Sequence, residues 1–185
     1  INNATAITGT LADLNAIYNS AGISGLGNEN ISITNTGTIT ATQINDLLGE
    51  TSGTITLVGS GNLAITMTSG QTLDLSGITN SLSGNLTIED STGNENITGT
   101  SVNDTLTLSS GNDTVNLGDG SDVINVTIGN LDISDNISDN GVSGTDILNI
   151  TNSGTIDSAN LIDVSGIEIL NLSGGNDTIT FDDTA

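Results

Sequence analysis

Between Asp90 and Asn125 an acidic side chain returns every ninth residue: Glu95, Asp104, Asp113 and Asp122. The chain divides there into four nonapeptides in one register, DSTGNENIT, GTSVNDTLT, LSSGNDTVN and LGDGSDVIN. Each has its acid at the sixth position and an aliphatic residue (Ile97, Leu106, Val115, Ile124) at the eighth. Gly93, Gly111 and Gly120 fill the fourth position, where Val102 is the exception. Two isolated copies in a second phase, GVSGTDILN from Gly141 and LSGGNDTIT from Leu172, carry Asp146 and Asp177. The chemistry open to these residues is that of oxygen donors. Among 185 residues there are 22 Asp and Glu but no Lys, Arg or His, a formal net charge of −22, so no ion pair between side chains can form. Solvent ions or bound metal must supply the compensation.

The same composition excludes other chemistries. Without His or Cys there is neither base nor thiol for nucleophilic catalysis of the Ser-His-Asp or Cys-His kind. A glycosidase built from carboxylates alone is the one enzyme class left, and with aromatics at 1% of the chain it lacks the rings on which sugars stack. The expected role is therefore not enzymatic. Nucleic acid and direct membrane insertion are not expected either: both phosphate backbones and anionic membrane surfaces call for Lys or Arg, and no apolar run reaches spanning length. Glycine-rich turns occur without the Gly-Lys-Ser/Thr of a phosphate loop. No basic region followed by an apolar stretch opens the sequence at Ile1, and the segment is expected to be an internal piece of a longer chain.

The elements that must position the acids are short strands. Alternating apolar pairs recur throughout, such as Ile31 and Ile33, Ile55 and Leu57, Leu73 and Leu75, or Leu86 and Ile88, separated by Gly, Asn, Ser and Asp. Many neighbouring strands begin eight or nine residues apart, too close for helical crossovers and typical of the half-coils of a solenoid. Tyr18 and Phe181 are the only rings, so the core must be stacked Ile, Leu and Val. A longer repeat aligns Asn35–Leu47 with Asn152–Val164, and a looser copy starts at Ile7. Thr10-x-x-Asp13 and Thr40-x-x-Gln43 resemble capping boxes, placing short helical turns after these strands. The expected fold is all-β: a parallel β-solenoid (β-helix) with a few short helical turns. Its sections are a Thr/Gly-rich solenoid over 1–89, a repeat roll over 90–125, and an acidic loop with solenoid continuation over 126–185; within the last, Val126–Asn140, acidic at Asp132, Asp135 and Asp139, is expected as an irregular loop, with a further cation site as the alternative. Within the roll, six residues form a turn and three a strand. Two nonapeptides then complete a coil, which stacks Glu95 under Asp113 and Asp104 under Asp122.

The nonapeptides resemble the glycine-rich GGxGxDxUx repeat of RTX proteins, whose turns bind calcium. The resemblance implies a calcium β-roll, with the ion held between successive turns of one edge by sixth-position carboxylates and turn carbonyls. Carried onto this chain it yields two ladders of Ca2+ sites. Their ligands are Glu95, Asp104, Asp113, Asp122, Asp146 and Asp177, with Asp119, Asn112, Gly111 and Gly120 contributing from the turns. The residue types agree, because calcium takes six to eight oxygens in flexible geometry whereas zinc and copper recruit the His or Cys missing here. Modules of this kind bind calcium at about 10⁻⁴ to 10⁻³ M, which implies filling outside the cell and folding coupled to export.

GTDILNI, a connecting segment and GIEILNL resemble a pattern in bacterial surface-layer proteins and large repetitive adhesins. That resemblance implies a secreted, extracellular, cell-surface structural protein in which calcium rigidifies a rod. Its partners would be further repeats of the same protein or neighbouring copies, and a cell-surface glycan in an adhesive setting. The alternative is an ice- or carbohydrate-binding face built on Thr-rich strands such as Thr34, Thr36, Thr38 and Thr40.

Overall fold

The computed structural model describes residues 4–180. Every strand pairing in it is parallel, as the spacing of apolar pairs leads one to expect of a solenoid. One long sheet of seven strands runs through most of the molecule: Gly37–Thr40, Leu63–Thr66, Leu86–Glu89, Asp104–Thr107, Val123–Val126, Ile147–Ile150 and Ile169–Leu172. A second sheet of five strands accompanies it: Thr72–Asp74, Asn96–Thr98, Thr114–Asn116, Asn136–Ser138 and Val164–Ser165. A four-stranded sheet (Ala6–Gly9, Asn30–Ile33, Ile55–Gly59, Ile78–Leu82) adds a third side to the first half, and Thr155–Asp157 with Thr178–Thr180 adds one near the end.

The coils change cross-section along the axis. From Leu63 to its partner Leu86 is 23 residues, and each coil visits three sheets. From Leu86 to Asp104 and from Thr105 to Val123 is 18 residues, and the coil visits only the two long sheets. From Val123 to Ile147 it widens again to 24. Nonapeptides dictate the narrow section: three strand residues and a six-residue turn, taken twice, leave no length for a third side.

Alternation along each strand sends one set of side chains inward, where it stacks in columns. Ile65, Ile88, Leu106, Ile124 and Leu148 form one such column, none more than 2% exposed; Leu73, Ile97, Val115 and Ile137 form another. With almost no aromatics, the core among the described residues is aliphatic apart from Met67, and these columns run through it.

Two helices take the place of the second sheet in the earliest coils. Helix α1 (Leu11–Tyr18) starts at Thr10, whose hydroxyl accepts from Asp13 N, and α2 (Ala41–Leu48) starts at Thr40 with a complete capping box to Gln43. Leu11 and Leu14, and Ala41, Ile44 and Leu47, point into the core. Asn15 Nδ2 donates to Gln43 O, and Asn45 Nδ2 donates to Thr72 O, so α1, α2 and the strand at Thr72 stack in order. The related copy at Asn152–Val164 forms a strand and turns instead of a helix, with Asp157 Oδ1 accepting from Ala159 N and Asn160 N.

The acidic stretch from Val126 to Asn140, expected as an irregular loop, also belongs to the solenoid. It holds a 3-10 turn, Ile128–Asn130, and the strand Asn136–Ser138, which pairs with Thr114–Asn116. Its longer turn carries the coil from 18 to 22 residues, and this is what breaks the nonapeptide register. Ile137 stays fully buried in its column across the break.

Candidate metal centre

Each sixth-position acid is the last residue of a turn, directly before or at the start of a strand, so its side chain lies at the edge of the coil among the turns. In the long sheet this edge column reads Leu63, Leu86, Asp104, Asp122, Asp146 and Glu168 along the axis. Apolar filler gives way to carboxylate where the coil narrows. Asp104 N donates to Asp122 Oδ1 at 2.7 Å, Asp122 N to Asp146 Oδ1 at 2.8 Å, and Asp146 N to Glu168 Oε2 at 2.8 Å. The opposite edge repeats the pattern. Gly70 N donates to Glu95 Oε1 at 2.6 Å, Glu95 N to Asp113 Oδ1 at 2.9 Å, and Asp113 N to Asp135 Oδ1 at 3.0 Å. One oxygen of each ladder carboxylate is therefore tied to backbone, which fixes the direction of the other.

Those second oxygens are where the chemistry lies. Glu95 Oε2, Asp113 Oδ2 and Asp122 Oδ2 are buried without a hydrogen-bond partner, on residues no more than 2% exposed. Asp90 Oδ1, on a half-buried residue, and Asp139 Oδ2, on one 7% exposed, are also buried without a partner. Two groups of three result, Asp90 with Glu95 and Asp113, and Asp122 with Asp139 and Asp146, each with ligand oxygens within 4.8 Å of one another. An unpaired buried carboxylate oxygen is costly, and a chain with no cationic side chain has nothing of its own to relieve it.

Burial, reinforced by neighbouring carboxylates, pushes the pKa values up. Asp113 rises to about 7 through desolvation, with Asp90, Asp135 and Glu95 adding repulsion against the pull of the Glu95 N–H. Asp122 also rises to about 7, from burial and the charges of Asp104, Asp139 and Asp146. Asp104 and Asp90 rise to about 6, and burial raises Asp135 and Asp139 as well. Without a cation, neutral turns favour carboxyls that keep their protons.

The donor set fits calcium. It is all oxygen, it converges from two coils, and five of its six carboxylates hold a buried oxygen free for a divalent ion. Glycines bring further oxygens near. A Cβ on Gly111 would run into the carbonyl oxygen of Gly93, and one on Gly144 into that of Gly120, so these carbonyls point along the axis into the next turn. Gly120 itself has φ +148 and stands beside Asp122 and the Val102 carbonyl carbon.

The sequence-derived ligands do not all stand alike. Glu95, Asp113, Asp122 and Asp146 belong to the two groups. Asp104 lies in its ladder, but Thr100 N and Thr100 Oγ1 occupy its oxygens, so this end of the ladder is closed by protein donors. Asp119 is half-buried and accepts from Val142 N at 2.7 Å, bracing the next turn. Asn112 is exposed, and its N–H donates to Asn94 Oδ1. Asp177, half-buried, accepts from Gly154 N at 3.0 Å and joins neither group. Gly111 and Gly120 serve by making room.

Four further acids stand in or beside the ladders: Asp135 and Asp139, from the acidic stretch whose alternative reading is a further cation site, and Asp90 and Glu168, which are not among the ligands expected from the sequence. Asp90 opens the first nonapeptide. Asp135-Asn136-Ile137 repeats the Glu95-Asn96-Ile97 order, and GIEILNL sets Glu168 where GTDILNI has Asp146; both were legible signals. For Asp139 the sequence does not give the partners, because only the widened coil brings it to Asp122 and Asp146. Glu29, fully buried in Gly27-Asn28-Glu29-Asn30-Ile31, stands in a turn like that of Glu95; Gly27 N and Tyr18 Oη both donate to its Oε2, Oε1 is buried without a partner, and it belongs to neither group of three.

No curated protein and no solved structure matches the chain. A family model does: the RTX calcium-binding nonapeptide repeat matches in four copies over residues 90–124. That interval coincides with the 18-residue coils and their carboxylate ladders. The narrow section of this solenoid is thus a run of RTX-type nonapeptide repeats, and the ion its turns bind is Ca2+.

Proposed function

We propose that the chain is a structural, non-catalytic segment of a secreted bacterial cell-surface protein, such as a surface layer, extracellular filament or adhesin stalk. Calcium bound at the repeat edges stiffens its rod. The observation that carries this reading is the pair of buried carboxylate groups on opposite edges, each with unpartnered oxygens and no cationic side chain to meet them. An ion at each edge ties one coil to the next, and rigidity is what such a tie provides. Among the described residues no helix is long and apolar enough to cross a membrane. Parallel coils stacked end to end suit continuation into further repeats or lateral pairing with neighbouring copies.

The alternative, an ice- or carbohydrate-binding face, needs regular ranks of Thr. The outward column of the long sheet instead reads Thr38, Ala64, Thr87, Thr105, Val123 and Ile147. Thr34 and Thr36 lie before the strand that holds Thr38 and Thr40. Nothing in the geometry favours that reading over the structural one.

The test is a calcium titration of the chelated segment, followed by circular dichroism and thermal melting. The expected result is a joint rise of β-sheet signal and melting temperature. Unchanged spectra and melting across the titration reject calcium-stiffened folding, and thermal hysteresis in the calcium-loaded protein would favour the alternative.

A further inference from the structure

Two aspartates occupy places where their columns otherwise hold apolar side chains. Asp139 stands one residue past the strand Asn136–Ser138, and its N–H donates to Ser165 O as Leu75 N donates to Thr98 O and Gly99 N to Asn116 O. Its counterparts are Leu75, Gly99 and Leu117, and both leucines are fully buried. Asp90 repeats the arrangement on the other edge. It follows the strand Leu86–Glu89, in line with Met67 and Leu108, which are 6% and 2% exposed. One acid lies at the beginning of the narrow coils and the other just beyond their end, each beside two ladder carboxylates.

Asp139 lies outside the residues matched as repeats and is 7% exposed. Its Oδ1 is held by Gly118 N and Gly141 N, both at 3.1 Å, while Oδ2 is buried and unpartnered. Asp122 Oδ2, on a residue 1% exposed, is unpartnered beside it, and Asp146 completes the trio. A carboxylate in an aliphatic column, hydrogen-bonded on one oxygen only, is a poor structural filler. Leucine at the same place costs nothing of the kind in the neighbouring coil.

We propose that Asp139, with Asp122 and Asp146, forms a three-carboxylate calcium site at the far end of the repeat block, where the ion stands in for the apolar side chain the column carries elsewhere. The site rests on the calcium reading of the repeats and extends it past residue 124 into the widened coil. With three carboxylates it matches the charge of the group Asp90, Glu95 and Asp113 on the other edge. By that charge it favours calcium, and more strongly a trivalent lanthanide of similar radius, over magnesium with its strict octahedron. It also clamps the coil in which the register breaks, joining the strands at Asn136 and Ile147 to the last nonapeptide.

The experiment measures calcium stoichiometry by calorimetry on the wild-type chain and on Asp139→Asn, which keeps an acceptor for Gly118 N and Gly141 N but loses the charge. Asp139→Leu, melted without metal, supplies the column's own apolar side chain. The expected results are one calcium fewer, or an at least tenfold weaker last ion, in Asp139→Asn, and a higher metal-free melting temperature with a smaller calcium-induced rise in Asp139→Leu. Undiminished stoichiometry and affinity in Asp139→Asn overturn the proposal while leaving the repeats as calcium sites, as does a lower metal-free melting temperature in a folded Asp139→Leu. Should Asp139→Leu fail to fold, the Asp139→Asn stoichiometry decides. A wild-type chain that takes up no calcium overturns the repeat reading itself.

Discussion

Stripped of calcium, the protein should be more stable in mild acid than at neutral pH. Asp113 and Asp122, whose ordinary value is 3.8, stand at about 7 in the fold. A carboxyl raised in the folded state favours folding while it is protonated there, so its contribution is complete below about pH 4 and disappears as pH rises through 7. A displacement of that size corresponds to about 4 kcal/mol per group at full strength, and screening at a turn edge reduces it to about 2 kcal/mol. The two together are worth about 4 kcal/mol, which for a chain of this length is a melting shift of roughly 10 °C. Asp104 and Asp90, at about 6, act in the same direction. The assay is thermal denaturation followed by circular dichroism from pH 5 to 8, in chelator and again in millimolar calcium. In chelator the melting temperature should fall with rising pH. In calcium it should hold or rise, because the ion binds the ionised groups and competes with protons, so the gap between the two curves widens toward pH 8. A metal-free melting temperature that stays level or climbs over this range would refute the idea that the ladders bury uncompensated charge.

Asp113→Asn should weaken calcium binding roughly tenfold or more by reducing ligand charge on one edge, while hydrogen exchange over Ala6–Leu82 stays as in the wild type. Gly111→Ala sets a methyl against the Gly93 carbonyl; it should lower the melting temperature and the calcium affinity together, in a paired melt and calorimetric titration. Leu106→Ala, at a position fully buried in its column, should cost about 2–5 kcal/mol in denaturant unfolding, with and without calcium alike. A loss confined to one of those conditions would mean that the column is not packed in both.

Much of this was legible because a nonapeptide is nearly a complete structural instruction. Its eighth residue names the core column, its sixth the ladder, and the count of eighteen names which acid stacks on which; Glu95 N meets Asp113 Oδ1 as that count requires. Helix starts were legible for a similar local reason, since Thr40 and Gln43 satisfy each other's backbone within one turn. What stayed hidden depends on distances that spacing does not encode. Once a coil takes 22 residues in place of 18, no fixed interval points from Asp113 to Asp135, and Asp139 finds Asp122 through the path of a turn. Asp104 is a subtler case: it stands in its ladder, and Thr100, an ordinary turn residue by type, donates to both of its oxygens.

The change from three-sided to two-sided coils gives the rod unequal mechanics along its length. In the wide section before the repeats, leucines such as Leu63 and Leu86 fill the edge of the long sheet and hold whatever the surrounding ion concentration. From the narrow section onward carboxylates do, and their cohesion comes and goes with calcium. The central aliphatic column from Ile65 to Leu148 passes through both without interruption. Withdrawing calcium would therefore soften the coils from the repeats onward and leave the section before them stiff, so the molecule would bend beyond that boundary before it broke.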